Sequence, residues 1–326
     1  EVPGGGALNV ERHLYEEIFL VLDGRGTTEV WYEGAKPHTF EWQKGSLFSI
    51  PLNAFHRIVN ASSSPALILV GTSAPNAMNL YDDNDFIFNS SYIFKKRYDG
   101  REDYFRPDEN ILPDPVRGLA QRRTNLIPDI INCDLPLDNR RSPGYRRIEP
   151  DMSGNRFYIF VGQHETGRYS KAHFHGSAAV LICLTGKGYT YTWPKELGTR
   201  PWENGQGDQV RRVDYEPFGL VSAAPMSGDW FHQHFGYSKD PLRLIAWMGP
   251  NNALSRKPRV PGEKRLDLGA IDMRAGGNAI PYDQEDPFIR KGYEEKLKAN
   301  GAVSRMDPKM YDPDNELAKQ WGGAVF

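Results

Sequence analysis

The chain is poor in several things, and each shortage excludes something. Cysteine occurs twice in 326 residues, as Cys133 and Cys183, far apart and in unlike contexts. That count is no disulfide scaffold and suits a reducing compartment, so a cytoplasmic location is the expectation. No apolar run approaches the ~20 residues of a membrane helix. There is no long basic run and the formal net charge is -2, which argues against nucleic acid and anionic membranes as partners. The sequence opens without Met and almost inside a motif, so its N-terminus is expected to be incomplete. The sequons Asn60-Ala61-Ser62 and Asn89-Ser90-Ser91 carry little weight without a signal peptide. Histidine is scarce as well, yet four of the eight fall in two short pieces, as His173, His175, His232 and His234.

Apolar residues make up 39% and charged residues 25%, a globular profile long enough for two domains. Residues 1–75 read as short strands. Glu17–Leu22 stops at Asp23-Gly24-Arg25-Gly26, Thr27–Tyr32 alternates, and Leu47–Pro51, Phe55–Asn60 and Ala66–Gly71 follow, with Ala7–His13 as a run before them. Residues 76–145 change to turn chemistry with a cluster of aromatics, which predicts an ordered linker. A single helical turn is expected around Val116–Ala120. Residues 146–250 return to short strands, with Gly186-Lys187-Gly188 as a hairpin. Residues 251–326 form a polar tail expected to wrap the barrels or a partner subunit. Within it Ile289, Tyr293 and Leu297 fall at i, i+4, i+8 of one amphipathic helix.

The two β regions share one frame. Gly167-(x)5-His173-x-His175-(x)3-Ala179-(x)6-Gly186 repeats the spacing of Gly5-(x)5-Glu11-x-His13-(x)3-Glu17-(x)6-Gly24. Gly45-(x)5-Pro51-x-Asn53-x-x-His56-(x)3-Asn60 is echoed by Gly219-(x)5-Pro225, which leads on to His232. In a strand, residues i and i+2 face the same way, so each His-x-His pair converges on one point, and imidazole suits Fe, Zn, Cu and Ni.

This pattern resembles the two motifs of the cupin superfamily, G(x)5HxH(x)3-4E(x)6G and G(x)5PxG(x)2H(x)3N. The resemblance covers about half the chain and implies a bicupin: an all-β fold of two double-stranded β-helix (jelly-roll) barrels. The first would span 1–75 and the second 146–250, with a loop-rich linker and a tail carrying a short helix. Departures from the pattern distinguish the two sites. In the first barrel Glu11 replaces a histidine and Asn53 replaces a glycine, leaving Glu11, His13, Glu17 and His56 as a possible metal set. In the second, Ala179 stands at the carboxylate position. The route from Pro225 is two residues too long, so Trp230 takes the usual histidine place. His173, His175 and His232 are then the metal ligands, with His234 a rival for the third place or a base beside it.

A three-histidine set is similar to the iron sites of gentisate-type, cysteine and diketone dioxygenases. The resemblance therefore implies a non-haem Fe(II) dioxygenase in a homo-oligomer, using O2 on a small aromatic or carboxylated substrate, with Mn, Ni or Zn as other metals. The alternatives are a non-oxidative metal enzyme (isomerase, decarboxylase or hydrolase) and a small-ligand-binding bicupin without catalysis. Tyr189, Tyr191 and Trp193 share a strand face, and Trp230 and Phe231 flank the histidines. Tyr191 and Trp230 are the aromatic residues expected in the lumen and, with His234, in catalysis. Arg168, Lys171 and Arg243 are expected on the surface, or else on a substrate carboxylate. Cys183 is expected to be an inert core thiol, with a parity that would place it in the lumen.

Overall fold

Alternating apolar and polar residues, interrupted by turn residues, set the strand pattern, and the computed structural model describes residues 1–176, 178–223, 228–248 and 260–315. The first half contains β1 (Glu17–Asp23), β2 (Arg25–Trp31), β3 (His38–Gln43), β4 (Leu47–Ser49), β5 (Phe55–Asn60) and β6 (Leu67–Thr72), followed by α1 (Ala74–Tyr81) and α2 (Asn84–Asn89). Gly24 alone joins β1 to β2, at φ +92°, and a Cβ there would come within 2.7 Å of the Ala66 side chain. Only glycine serves at such a point. The middle of the chain adds β7 (Ile111–Pro113), β8 (Ala120–Arg123) and β9 (Leu126–Ile127). The second half contains β10 (Arg146–Asp151), β11 (Tyr158–His164), β12 (Ala179–Thr185), β13 (Gly188–Pro194), β14 (Arg211–Tyr215), β15 (Leu220–Ser222), β16 (Trp230–Gly236) and β17 (Leu242–Met248), and α3 (Pro287–Ala299) lies in the tail.

Each half folds as two facing sheets. The first barrel pairs β6-β1-β4-β9 with β3-β2-β5, and the second pairs β15-β12-β17-β11-β10-β8-β7 with β14-β13-β16. Pairing is antiparallel throughout except between β10 and β8. This is the expected all-β architecture of two double-stranded β-helix barrels.

The barrels stand back to back. Ile18, Leu20 and Leu47 of the first share one buried core with Ile148, Ile159, Val161, Ile182 and Ile245 of the second. The sheets approach closely enough at Gly71 that a Cβ there would lie 2.9 Å from the Trp247 ring. The middle segment belongs to both barrels, because β9 pairs with β4 while β8 pairs with β10.

Three local expectations need correction. Ala7–His13 is no continuous strand; it touches the sheet through the bridges Ala7↔Val59 and Glu11↔His56. Val116–Ala120 is no helix; the Asp114 carboxylate accepts from the amides of Val116, Arg117 and Leu119 and closes a tight turn instead. Such an aspartate offers the backbone partners that a helix would otherwise supply. His173 and His175 lie outside the named strands, with His173 joined to His232 by a bridge. Pro225 lies outside the described residues.

The tail helix forms as its periodicity predicts. Asp286 caps it by accepting from the Phe288 amide, and Ile289, Tyr293 and Leu297 are buried. They cover Tyr189, Trp193, Phe231 and Phe235 on the outer face of the second barrel. Asp286 also accepts from the amides of Trp202 and Glu203, which fixes the helix to the long loop after β13. No helix among the described residues is long and apolar enough to cross a membrane.

Candidate metal centres

In the first barrel the ligand atoms of His13, Glu17 and His56 lie within 4.8 Å of one another. β1 carries Glu17 and β5 carries His56. Two carbonyls set the ring tautomers. His13 Nδ1 donates to the Tyr15 carbonyl at 3.0 Å and His56 Nδ1 to the Ala54 carbonyl at 3.3 Å. A carbonyl can only accept, so each Nδ1 carries a proton and Nε2 is the ring nitrogen turned to the carboxylates. Each Nε2 is buried without a hydrogen-bond partner. His13 Nε2 lies 3.2 Å from Glu17, and His56 Nε2 lies 3.4 Å from Glu11. Two imidazole nitrogens and a carboxylate converging within 4.8 Å are a donor set that suits a divalent metal. Glu16, on the opposite face, instead binds Arg97 at 2.7 Å and the Arg156 amide at 2.6 Å. Asn53 adopts φ +60° where the motif has glycine, and its amide holds the Ser90 and Tyr92 carbonyls. Asparagine is the residue that best tolerates that backbone after glycine.

In the second barrel the ligand atoms of His173, His175 and His232 meet the same 4.8 Å limit. His234 stands apart from them, with Nδ1 at 2.9 Å from the Tyr215 hydroxyl. The geometry therefore favours His232 as the third ligand. His164 joins the cavity from β11, and burial pushes its pKa down to about 3. Burial also holds His173, His232 and His234 well below the ordinary imidazole range, so all are neutral at pH 7. A neutral imidazole is the form that binds metal, and the set fits a divalent ion on that count too.

The cavity at these histidines is about 30 Å³. Its walls include Ala179, Leu181, Phe160 and Met248. Arg141, from the middle segment, is the one cationic side chain among the described residues lining it, and its Nη1 lies 2.9 Å from His173 Nε2. Behind it runs a buried charge cluster. Arg147 and Arg117 both bind Glu149, Tyr158 donates to Glu149, and Asp267 lies 3.5 Å from Arg147 and 4.0 Å from Arg141. Three guanidinium groups thus face two carboxylates, which leaves a positive charge on the cavity side.

Among the described residues lining the cavity, the aromatics are Tyr145 and Phe160, not the expected Tyr191 and Trp230. On the paired strands Thr190 lies opposite His234 and Thr192 opposite His232, while Tyr191 lies opposite Gln233. Tyr189, Tyr191 and Trp193 therefore face outward, where Tyr191 packs on Trp202 and Phe235. Trp230 shares the histidine parity but sits at the strand end outside the cavity lining, with the Arg211 guanidinium over its ring. Cys183 shares the parity of Ala179 but packs among Leu181, Tyr215 and Leu244, and burial pushes its thiol up to about 12. Lys171 and Arg243 are buried, not solvated. Lys171 pairs with Asp272, and Arg243 donates to the Ile130 and Cys133 carbonyls. Arg168 pairs with Glu165 instead of facing the lumen.

The tail clamps the site from outside. The Phe174 amide donates to the Asn278 carbonyl and the Ile280 amide to the Ala172 carbonyl, so the histidine segment lies between the tail and β16. Gln233, between His232 and His234, donates to Glu285, which also accepts from Tyr169 at 2.6 Å. Burial raises the Glu285 pKa to about 7. Between its unfolded value of 4.5 and about 7, the folded state holds a proton that the unfolded state releases. Its contribution to stability is therefore full below the unfolded value and lost as pH rises through about 7. Glu285→Gln mimics the protonated form. It is expected to flatten that slope, with urea unfolding at pH 5 and pH 8 giving closer values than in the wild type.

A cupin domain family model matches residues 1–71. Among solved structures, an oxalate decarboxylase studied for its substrate binding mode and reaction specificity aligns at 12% identity and TM-score 0.44, covering 76% of this chain and 66% of that one. A variant of the Bacillus subtilis oxalate decarboxylase aligns at 10% identity and TM-score 0.44, with the same coverage. The Bacillus subtilis enzyme studied for its Mn(II) centres aligns at 13% identity and TM-score 0.42, again with 76% and 66% covered. The chain thus spans slightly less than two thirds of the length of these structures.

Proposed function

We propose that the second barrel is the active site of a metal-dependent enzyme that converts a small carboxylate without net oxidation, a decarboxylation being the simplest case. The observation that carries this reading is Arg141 inside a cavity of about 30 Å³. An aromatic ring needs roughly five times that space, as cavities that take up benzene are about 150 Å³. A ligand of a few heavy atoms, such as a short mono- or dicarboxylate, is of the right size. A guanidinium presents paired donors to a carboxylate, and this one carries charge that its own cluster does not cancel.

His173, His175 and His232 would hold the metal, with Mn(II) or Fe(II) the reasonable choices. When bound, it supplies Lewis-acid charge to a substrate oxygen. Arg141 orients the carboxylate and stabilises charge that builds on it. His234, neutral and fixed by Tyr215, is placed to accept or return a proton, as is His164. The apolar walls at Leu181 and Met248 exclude water. The first barrel, with up to two carboxylates in its set, would hold a hard divalent ion.

The test is a panel of short carboxylates, oxalate included, on protein loaded with Mn(II) or Fe(II), following CO2 release and O2 uptake together. Stoichiometric CO2 without O2 consumption supports the reading. O2 consumption matched to product would return the dioxygenase reading, which the three-histidine set alone still favours. Arg141→Ala is expected to lower kcat/KM by about a hundredfold, the scale of a charge-assisted hydrogen bond removed from a dry site.

A further inference from the structure

The lone pair that a metal would use on His173 is already engaged. His173 Nδ1 donates to the Lys171 carbonyl at 3.2 Å, which puts the ring proton on Nδ1 and the lone pair on Nε2. A guanidinium has no lone pair and can only donate, and Arg141 Nη1 donates to that Nε2 at 2.9 Å. Both partners are enclosed, His173 at 2% exposure and the Arg141 side chain at 11%. The Arg141 Nε is itself buried without a partner. Asp267, at 4.0 Å, is the carboxylate that Arg141 pairs with among the described residues, but Arg147 already shares it. Among the described residues, a guanidinium displaced from His173 therefore has no full counter-charge waiting for it.

We infer that Arg141 competes with the metal for His173, so that metal and carboxylate bind to the second barrel cooperatively. The metal displaces Arg141 from the Nε2 lone pair. A bound carboxylate then takes up the displaced guanidinium and offsets its repulsion of the ion. Coupling of this kind is reciprocal: the factor by which the anion tightens metal binding equals the factor by which metal tightens anion binding. Empty of anion, the barrel holds metal weakly; loaded with it, strongly. This inference rests on the reading of Arg141 as the partner of a carboxylate.

The experiment titrates the full chain with Co(II), read by its visible absorption, with and without formate as the anion probe. The second-barrel component is the one missing from His175→Ala. In the wild type, formate is expected to tighten Co(II) binding there several-fold. Arg141→Leu is expected to bind Co(II) about tenfold more tightly than the wild type without formate, since one charge-assisted hydrogen bond no longer opposes the ion. Formate should then have no further effect. Arg141→Gln, gentler on the surrounding charge cluster, should shift the same way by a smaller factor. If neither variant binds Co(II) more tightly than the wild type, the inference is overturned, whatever the chain does to carboxylates. If both variants bind more tightly and formate tightens the wild type, yet no carboxylate is turned over, the inference stands and the proposed activity falls. Tighter variants with no formate effect on the wild type overturn the coupling.

Discussion

Glu149→Ala is expected to destabilise the folded chain by about 3–5 kcal/mol, the cost of removing one partner from a buried ion cluster. Glu149 is fully buried and accepts from Arg147, Arg117 and Tyr158. Arg147 is itself 2% exposed, and its guanidinium also lies 4.3 Å over the Phe160 ring. Arg147 cannot reach water when the carboxylate goes and Arg117 is only 10% exposed, so three guanidinium groups are left facing one remaining acid, Asp267. Replacing the whole cluster by apolar residues could be neutral, but deleting its anion alone is not. Urea unfolding checks the value, and Glu149→Gln should fall between wild type and alanine because it keeps one acceptor oxygen. Loss below about 1 kcal/mol would mean that water enters behind Phe160 and that the cluster is not sealed.

His232→Ala is expected to weaken metal binding at the second barrel by on the order of a thousandfold. That follows if one ligand in three supplies about a third of a binding free energy near 12 kcal/mol. Turnover of any substrate held there should fall with it. The same substitution should leave the first barrel's metal in place, and His13→Ala should do the reverse. Elemental analysis of the two variants reads both outcomes at once. With formate present, a wild-type value near two ions per chain, falling to one in each variant, is the pattern for two separate sites. Retention of second-barrel metal in His232→Ala would point to His234 turning from Tyr215 into the vacant place.

The sequence made the frame of both barrels legible because the motif spacings record backbone geometry. Gly24 ends a hairpin where no side chain fits, and Asn53 marks a backbone turn that glycine and asparagine share. The clustered histidines were legible for the same reason, through their fixed offsets. The lumen was not. Tyr189, Tyr191 and Trp193 alternate as lining residues would, but alternation gives a face without saying which face. The tail helix makes the outside of that strand as apolar as any core, so the aromatic side is the outer one. Arg141 left no local trace, since it reaches His173 from a segment whose composition reads as loop, across 32 positions of sequence. His164 did leave one: five of the eight histidines, His164, His173, His175, His232 and His234, fall in the second barrel. An imidazole-rich lumen, and not only a triad, was implied there. Lys171 and Arg243 were misplaced because burial of a charge depends on a partner that lies far off in sequence, Asp272 in one case and backbone carbonyls in the other.

The middle segment places β9 on one barrel and β8 on the other, while Ile127, Ile130 and Leu135 lie in the core between them. No single cut in the chain releases a barrel that keeps all of its own strands. The two halves repeat each other in sequence, but they are no longer interchangeable parts. One unfolding transition for both halves is the outcome expected of that shared core, so a lesion at either candidate metal centre would draw on the same reserve of stability, and a substitution tolerated in one barrel would narrow what the other can accept.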